Sequence, residues 1–219
     1  MKNLSNDIVY SYSKINTFDQ CPEKYKHIYI DKINNRSTSI ESYMGIIVHR
    51  VLEWVYSKRE NDRFKMFDSL QDKYDELWKK EWHEYIYIAG IRAYREKTKN
   101  DYYMAGLRCL SNYNTLHGPN FSGNVLGTEY KINFSLHSYN IAGSIDRLDE
   151  EKPGYLVVHD YKTGKINKNK IINDMQMSLY HFGLREKIKG IKQVKLCIHY
   201  LRDNKIQNAK NNYSYFVSD

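Results

Sequence analysis

The sequence predicts a mixed α/β (α+β) fold, and three stretches carry that prediction. Residues 44–58, MGIIVHRVLEWVYSK, place apolar side chains at 47, 48, 51, 52 and 55, the rhythm of a helix with one buried stripe. From Val125 to Tyr161 the pattern changes to alternation rich in β-branched and aromatic residues, as in Ile141, Gly143 and Ile145. After Gly164 helical spacing returns, and Val194, Leu196, Ile198 and Tyr200 then alternate as one more strand.

Taken in order, Ser13 is expected to cap a short helix that stops before Pro22, and EKYKHIYIDKI continues as a second helix. Asn34 to Ser42 is a polar loop. The helix from Met44 carries His49. Residues 61–118 are charged, aromatic and helix-forming, with Trp78 and Trp82 four apart on one face. Two or three helices follow, an insertion at about 61–120 that Gly-Pro-Asn at 118–120 ends. Strands are expected over 125–136, 139–148 and 156–161, with 149–154 turning between the last two. Residues 170–187 return to helical spacing, with Ile172, Met175, Leu179 and Phe182 on one side. The order is helix, helical insertion, three strands, helix, strand, within one domain over 1–219.

Composition narrows the setting. No long uncharged apolar run argues for a membrane span, and the N-terminus lacks a signal-like apolar stretch, which points to the cytoplasm. Three cysteines, Cys21, Cys109 and Cys197, give neither a disulfide framework nor a zinc pattern and are expected to be buried thiols. From Lys165 to Asn211 there are eleven Lys or Arg against three acids, an excess equal to the whole net charge of +8. Such a face attracts polyanions such as DNA.

The chemistry concentrates in VVHDYKTGK, residues 157–165. Asp160 and Lys162, two apart on a strand, share a face, while Tyr161 points to the other. Asp146, in GSIDRLD, lies on the preceding strand, so two carboxylates meet beside one lysine. Left dry and unpaired that arrangement is costly, and a hard divalent cation removes the cost. Lys162 then positions or helps deprotonate an attacking water and stabilises charge on a phosphate.

GxxDR at 143–147, DYKTGK at 160–165 and QxxxY at 176–180, with GIIVH at 45–49 and SYSKINTFDQCPEKY at 11–25, resemble the RecB-like branch of the PD-(D/E)xK nucleases, of the AddB and CRISPR-associated exonuclease type. The resemblance implies that family's core of helix, three strands, helix and strand. It further implies that Asp146 and Asp160 hold a catalytic metal with His49 as a further ligand, Mg²⁺ or Mn²⁺, the imidazole favouring Mn²⁺. Lys162 matches the catalytic lysine, Glu129 an acidic position that assists the site, and Gln176 and Tyr180 a helix motif facing the site and the nucleic-acid backbone. His159 and His181 match nothing in these motifs.

Many such relatives bind an iron-sulfur cluster through one early and three late cysteines. Cys21 matches the early one, but no cysteine follows Cys197, so no cluster is expected and Cys21 is expected to pack as a small apolar residue. The implied activity is a metal-dependent deoxyribonuclease, an exonuclease on DNA ends or single strands whose aromatic residues stack unpaired bases. The alternatives are an endonuclease with the same site, or a non-catalytic DNA-binding or assembly module that docks to a helicase or recombination protein.

Overall fold

The computed structural model describes residues 8–33, 37–59, 62–63, 65–88, 98–165 and 175–208. The elements run β1 (Val9–Tyr10), α1 (Tyr12–Gln20), α2 (Pro22–Tyr25), a π-helical turn (Lys26–Ile30), β2 (Thr38–Ser39), α3 (Ile40–Tyr56), α4 (Phe67–Lys80), β3 (Ile86–Tyr87) and α5 (Lys99–His117). Then follow β4 (Val125–Leu136), β5 (Tyr139–Lys152), β6 (Tyr155–Lys162), α6 (Met175–Lys187), β7 (Gln193–Tyr200) and β8 (Lys205–Asn208).

The main sheet has the order β1-β5-β6-β7-β8, with β4 also on β5. The three consecutive strands β4, β5 and β6 are antiparallel neighbours, β7 returns parallel to β6, and α6 is the crossover helix between them. Two apolar layers sandwich this sheet. On one side α3, α4 and α5 enclose Ile47, Val48, Val51, Leu52 and Val55, the whole stripe expected of α3, together with Tyr161 from β6. On the other side Met177, Tyr180 and Leu184 of α6 cover Ile132, Ile145, Leu156 and Val158.

Several sequence expectations move. The N-cap of α1 is Ser11, whose hydroxyl accepts the Lys14 N–H, so the helix starts before Ser13. Ser39 caps α3 in the same way, and the stretch expected to be loop up to Ser42 is therefore a short strand and the first helical turn; residues 34–36 lie outside the described ones. The turn between β5 and β6 is only Pro153–Gly154, and Asp149 is a buried strand residue. Met175 and Phe182 of α6 are 45% and 44% exposed, because the stripe at 177, 180 and 184 is the one that meets the sheet. The expected start of that helix at 170, with Ile172, falls outside the described residues. Cys109 and Cys197 are buried, but Cys21 is exposed: its thiol caps α2 by accepting the Lys24 N–H at 3.4 Å instead of packing in a core. No helix among the described residues is long and apolar enough to cross a membrane.

Candidate active site

Strand β5 is unevenly paired on the edge it shares with β6. The β6 register covers only Arg147 to Lys152, and β1 takes Asn140 and Ile141. Between these, no strand among the described residues is registered on that edge beside Ser144 to Asp146. Where a ladder bond would have continued, the Asp146 carboxylate accepts the Tyr161 N–H at 2.7 Å. The sheet forks there, and the fork borders a cleft of about 640 Å³ lined in part by Gly45, His49, Glu129 and Thr163. Gly45 permits the close approach of α3, since a Cβ there would sit 3.1 Å from Thr163 Oγ1.

His49 projects from α3 beside the buried stripe and reaches both sides of the fork. Its Nε2 lies 2.8 Å from the Tyr161 carbonyl oxygen and its Nδ1 lies 3.5 Å from Asp146 Oδ1. A carbonyl can only accept, so Nε2 carries a proton. An Nδ1 lone pair facing a carboxylate is unfavourable, so that nitrogen needs either a second proton or a cation shared with Asp146. Burial pulls the His49 pKa down, but the Asp146 bond and the charges of Asp146 and Asp160 outweigh it and raise it. Burial likewise pushes Asp146 up, and its bond to His49 prevails and lowers it.

Glu129 completes the cluster. Ligand atoms of His49, Glu129 and Asp146 all lie within 4.8 Å of one another. Glu129 adopts a left-handed backbone (φ 46°), uncommon for a side chain of its size, and accepts a hydrogen bond from Ser144 Oγ at 2.7 Å. Two carboxylates plus an imidazole whose other nitrogen is tied to a backbone carbonyl fit a hard divalent cation.

Asp160, on β6, adds its charge to that of Asp146 at His49. It is buried, and its Oδ2 is 2.6 Å from Lys162 Nζ. Burial, with the charge of Asp146 adding and that of Lys162 opposing, pushes its carboxyl up to about 6. Lys162 Nζ also donates to Gln176 Oε1 (2.9 Å), the Gln176 amide donates to the Tyr180 hydroxyl (2.7 Å), and that hydroxyl donates to the Ser144 carbonyl (2.5 Å). The chain of donors fixes the Gln176 amide and holds the lysine over the fork. Tyr180 is only 5% exposed, and its hydroxyl is held within this network. Gly143 makes room for it, since a Cβ there would lie 3.2 Å from the Tyr180 ring.

The residues of the sequence motifs thus divide into two adjoining groups: His49, Asp146 and Glu129 as a donor trio, and Asp160, Lys162, Gln176 and Tyr180 as a linked series. Expected together as ligands were His49, Asp146 and Asp160; the charge of Asp160 acts on both His49 and Asp146, and Glu129 is a further carboxylate grouped with those two. Ser144, which bridges both groups, was missed, although it sits inside the GxxDR motif.

Beneath the site is a buried polar cluster that the motifs do not announce. Arg147, 3% exposed, donates to Tyr113 Oη (2.9 Å), meets His159 Nε2 (2.8 Å) and pairs with Asp149 (3.1 Å). His159 Nδ1 is 2.8 Å from His199 Nε2, and the His117 ring lies 5.5 Å from that of His199. Burial first, then the Arg147 charge, lowers His159 and His117 to about 4. Burial and the neighbouring imidazoles take His199 down to about 2. All three are therefore neutral in the fold. With folded values below the ordinary 6.5, their contribution is complete above about pH 6.5 and is lost as pH falls toward 4. Each imidazole removes up to about 1.4 kcal/mol per pH unit. Asp160, pushed up by burial, works in the opposite direction. The melting temperature is expected to drop steeply between pH 6.5 and 4.5; a flat profile over that range would show that these histidines are not held neutral.

A crystal structure from Eubacterium rectale, of a protein provisionally named an exonuclease, is similar to this fold with a TM-score of 0.50 at 13% identity, covering 95% of this chain and 75% of that one. No curated protein matches the sequence. The profile of the PD-(D/E)XK nuclease superfamily matches residues 9–215, from β1 past β8 and across the donor trio and its lysine. The chain belongs to the PD-(D/E)XK nuclease superfamily.

Proposed function

We propose that this protein is a Mg²⁺- or Mn²⁺-dependent deoxyribonuclease of the RecB-like type, built as one domain and acting as an exonuclease on DNA ends. The observation that carries the reading is the His49 ring, with one nitrogen tied to the Tyr161 carbonyl and the other turned to Asp146, in a trio completed by Glu129. A divalent cation bound there would supply a water of lowered pKa and charge for the scissile phosphate. Lys162, held by Asp160 and Gln176, places its ammonium beside that position, where it orients the water and balances developing negative charge. Asp160 anchors the lysine and lends the site a further carboxylate. The odd, widely spaced cysteines support a reducing compartment, the cytoplasm. The name of the structural neighbour favours exonuclease over endonuclease action.

The test incubates end-labelled linear DNA and covalently closed circles of the same sequence with Mg²⁺, Mn²⁺ or a chelator. Linear DNA should shorten from its ends with either ion, circles should persist, and the chelator should stop the reaction. Cutting of circles would assign an endonuclease, and no cutting under any ion would remove the catalytic reading.

A further inference from the structure

The peptide groups of Tyr161 serve two members of the donor trio at once: its N–H goes to the Asp146 carboxylate at 2.7 Å, and its carbonyl oxygen takes the His49 Nε2 proton at 2.8 Å. A shift of that one residue moves both. On its β7 edge β6 is paired through Lys162↔Tyr200, but on its β5 edge the register stops at Arg147↔His159, short of Tyr161. Among the described residues, the width of the fork there is set by side chains and not by a ladder.

The Tyr161 ring leaves β6 on the face opposite Asp160 and Lys162, is buried, and meets Tyr113 of α5 edge-on with ring centres 5.4 Å apart. Tyr113 is buried as well, and its oxygen gathers three partners: Arg147 Nη1 donates to it at 2.9 Å, and the Tyr56 and Tyr161 hydroxyls lie at 2.8 and 3.3 Å. A guanidinium only donates, so that oxygen accepts from Arg147 and uses its own proton and remaining lone pair for the two phenols. Its capacity is full. Arg147 follows Asp146 on β5 and points to the other face. Neighbouring residues of one strand therefore tie Tyr161 twice, Asp146 to its N–H on one side of the fork and Arg147, through Tyr113, to its hydroxyl on the other.

We propose that Tyr113 is a positioning residue for the metal site: its hydroxyl, joined to Arg147 and Tyr161, fixes the Tyr161 peptide groups and through them the directions of the Asp146 carboxylate and the His49 ring. This role rests on the nuclease reading above and adds to it a residue that acts from outside the donor trio. The buried polar cluster thereby has a task besides stability.

Tyr113→Phe and Tyr161→Phe each keep the ring and remove one hydroxyl. In metal-free protein carrying isotope-labelled histidine, nuclear magnetic resonance follows the His49 Nε2–H that binds the Tyr161 carbonyl, and calorimetric titration with Mn²⁺ follows the trio, both at a temperature where melting curves show every variant folded. Tyr113→Phe should shift or broaden the His49 signal and weaken Mn²⁺ binding about tenfold or more, the usual scale for a group that orients a metal ligand from outside. Tyr161→Phe should act in the same direction. Both changes break one link, so the double variant should bind Mn²⁺ no more weakly than Tyr113→Phe alone. Mn²⁺ affinity of Tyr113→Phe equal to wild type, whatever its melting temperature, would make the hydroxyl purely structural and overturn the proposal. Losses that multiply in the double variant, a weakened affinity with an unmoved His49 signal, or a wild type that binds no Mn²⁺ would overturn it too. DNA cleavage is read separately: a wild type that binds Mn²⁺ and responds to these variants but cuts nothing would leave the positioning role standing and remove the catalytic reading.

Discussion

Asp146→Asn is expected to leave the fold intact and to lower DNA hydrolysis by at least about a thousandfold, roughly 4 kcal/mol of transition-state stabilisation. Asparagine keeps the shape of the side chain and an oxygen able to accept the Tyr161 N–H that Asp146 accepts at 2.7 Å. The fork between β5 and β6 should therefore persist, and the melting temperature should stay within a few degrees. What disappears is the negative charge opposite His49 Nδ1 and one anionic member of the donor trio. Titration with Mn²⁺, followed by paramagnetic broadening or calorimetry, should show weakened binding in parallel with the activity. Wild-type hydrolysis in the variant would mean that the trio does not hold the working ion. Loss of activity with unchanged Mn²⁺ binding would shift the role of Asp146 from ligand to positioning of His49.

Arg147→Met should produce the largest loss of stability, about 3–5 kcal/mol, the scale for removing one partner of a buried ion pair. Asp149 would be left buried beside His159 without its 3.1 Å partner, and Tyr113 would lose a donor. Against a total stability of about 5–15 kcal/mol this is a large fraction, visible as a shifted denaturant midpoint with an unchanged slope. The double variant Arg147→Met/Asp149→Leu separates pairing from packing. Substituting both charges by apolar groups of similar volume often costs little, so the double variant should recover much of the loss. If it is no better than the single, the cluster acts through its contacts to the tyrosines and histidines and not through the pair.

What the sequence could show follows from how local each signal is. The stripe on α3, the alternation of β4 to β6, and the spacing of Asp160 and Lys162 depend only on residues a few positions apart, and these held. Long elements declare themselves by repetition, whereas β1, β2 and β3 are two residues each and β8 four, too short for any period to register. Helical spacing marked α6 but not its inner face, because two apolar stripes compete there and only the position of the sheet decides for Met177, Tyr180 and Leu184. Motifs could nominate Glu129 but not its place beside His49, which depends on a left-handed kink within β4. The cluster around Arg147 draws on α3, α5, β5, β6 and β7 at once. His159, which matched no motif, is one of its centres.

The two apolar layers that flank the sheet hold different halves of the site. His49 comes from the helix of one layer, and Lys162 is steadied through Gln176 and Tyr180 of the helix on the other. The reacting geometry is thus a seam between two independently packed slabs, clamped by the forked strands. A small slippage of either slab would misalign the seam while each remained folded, so catalytic competence is the most fragile property of this architecture and ordinary compactness the most durable.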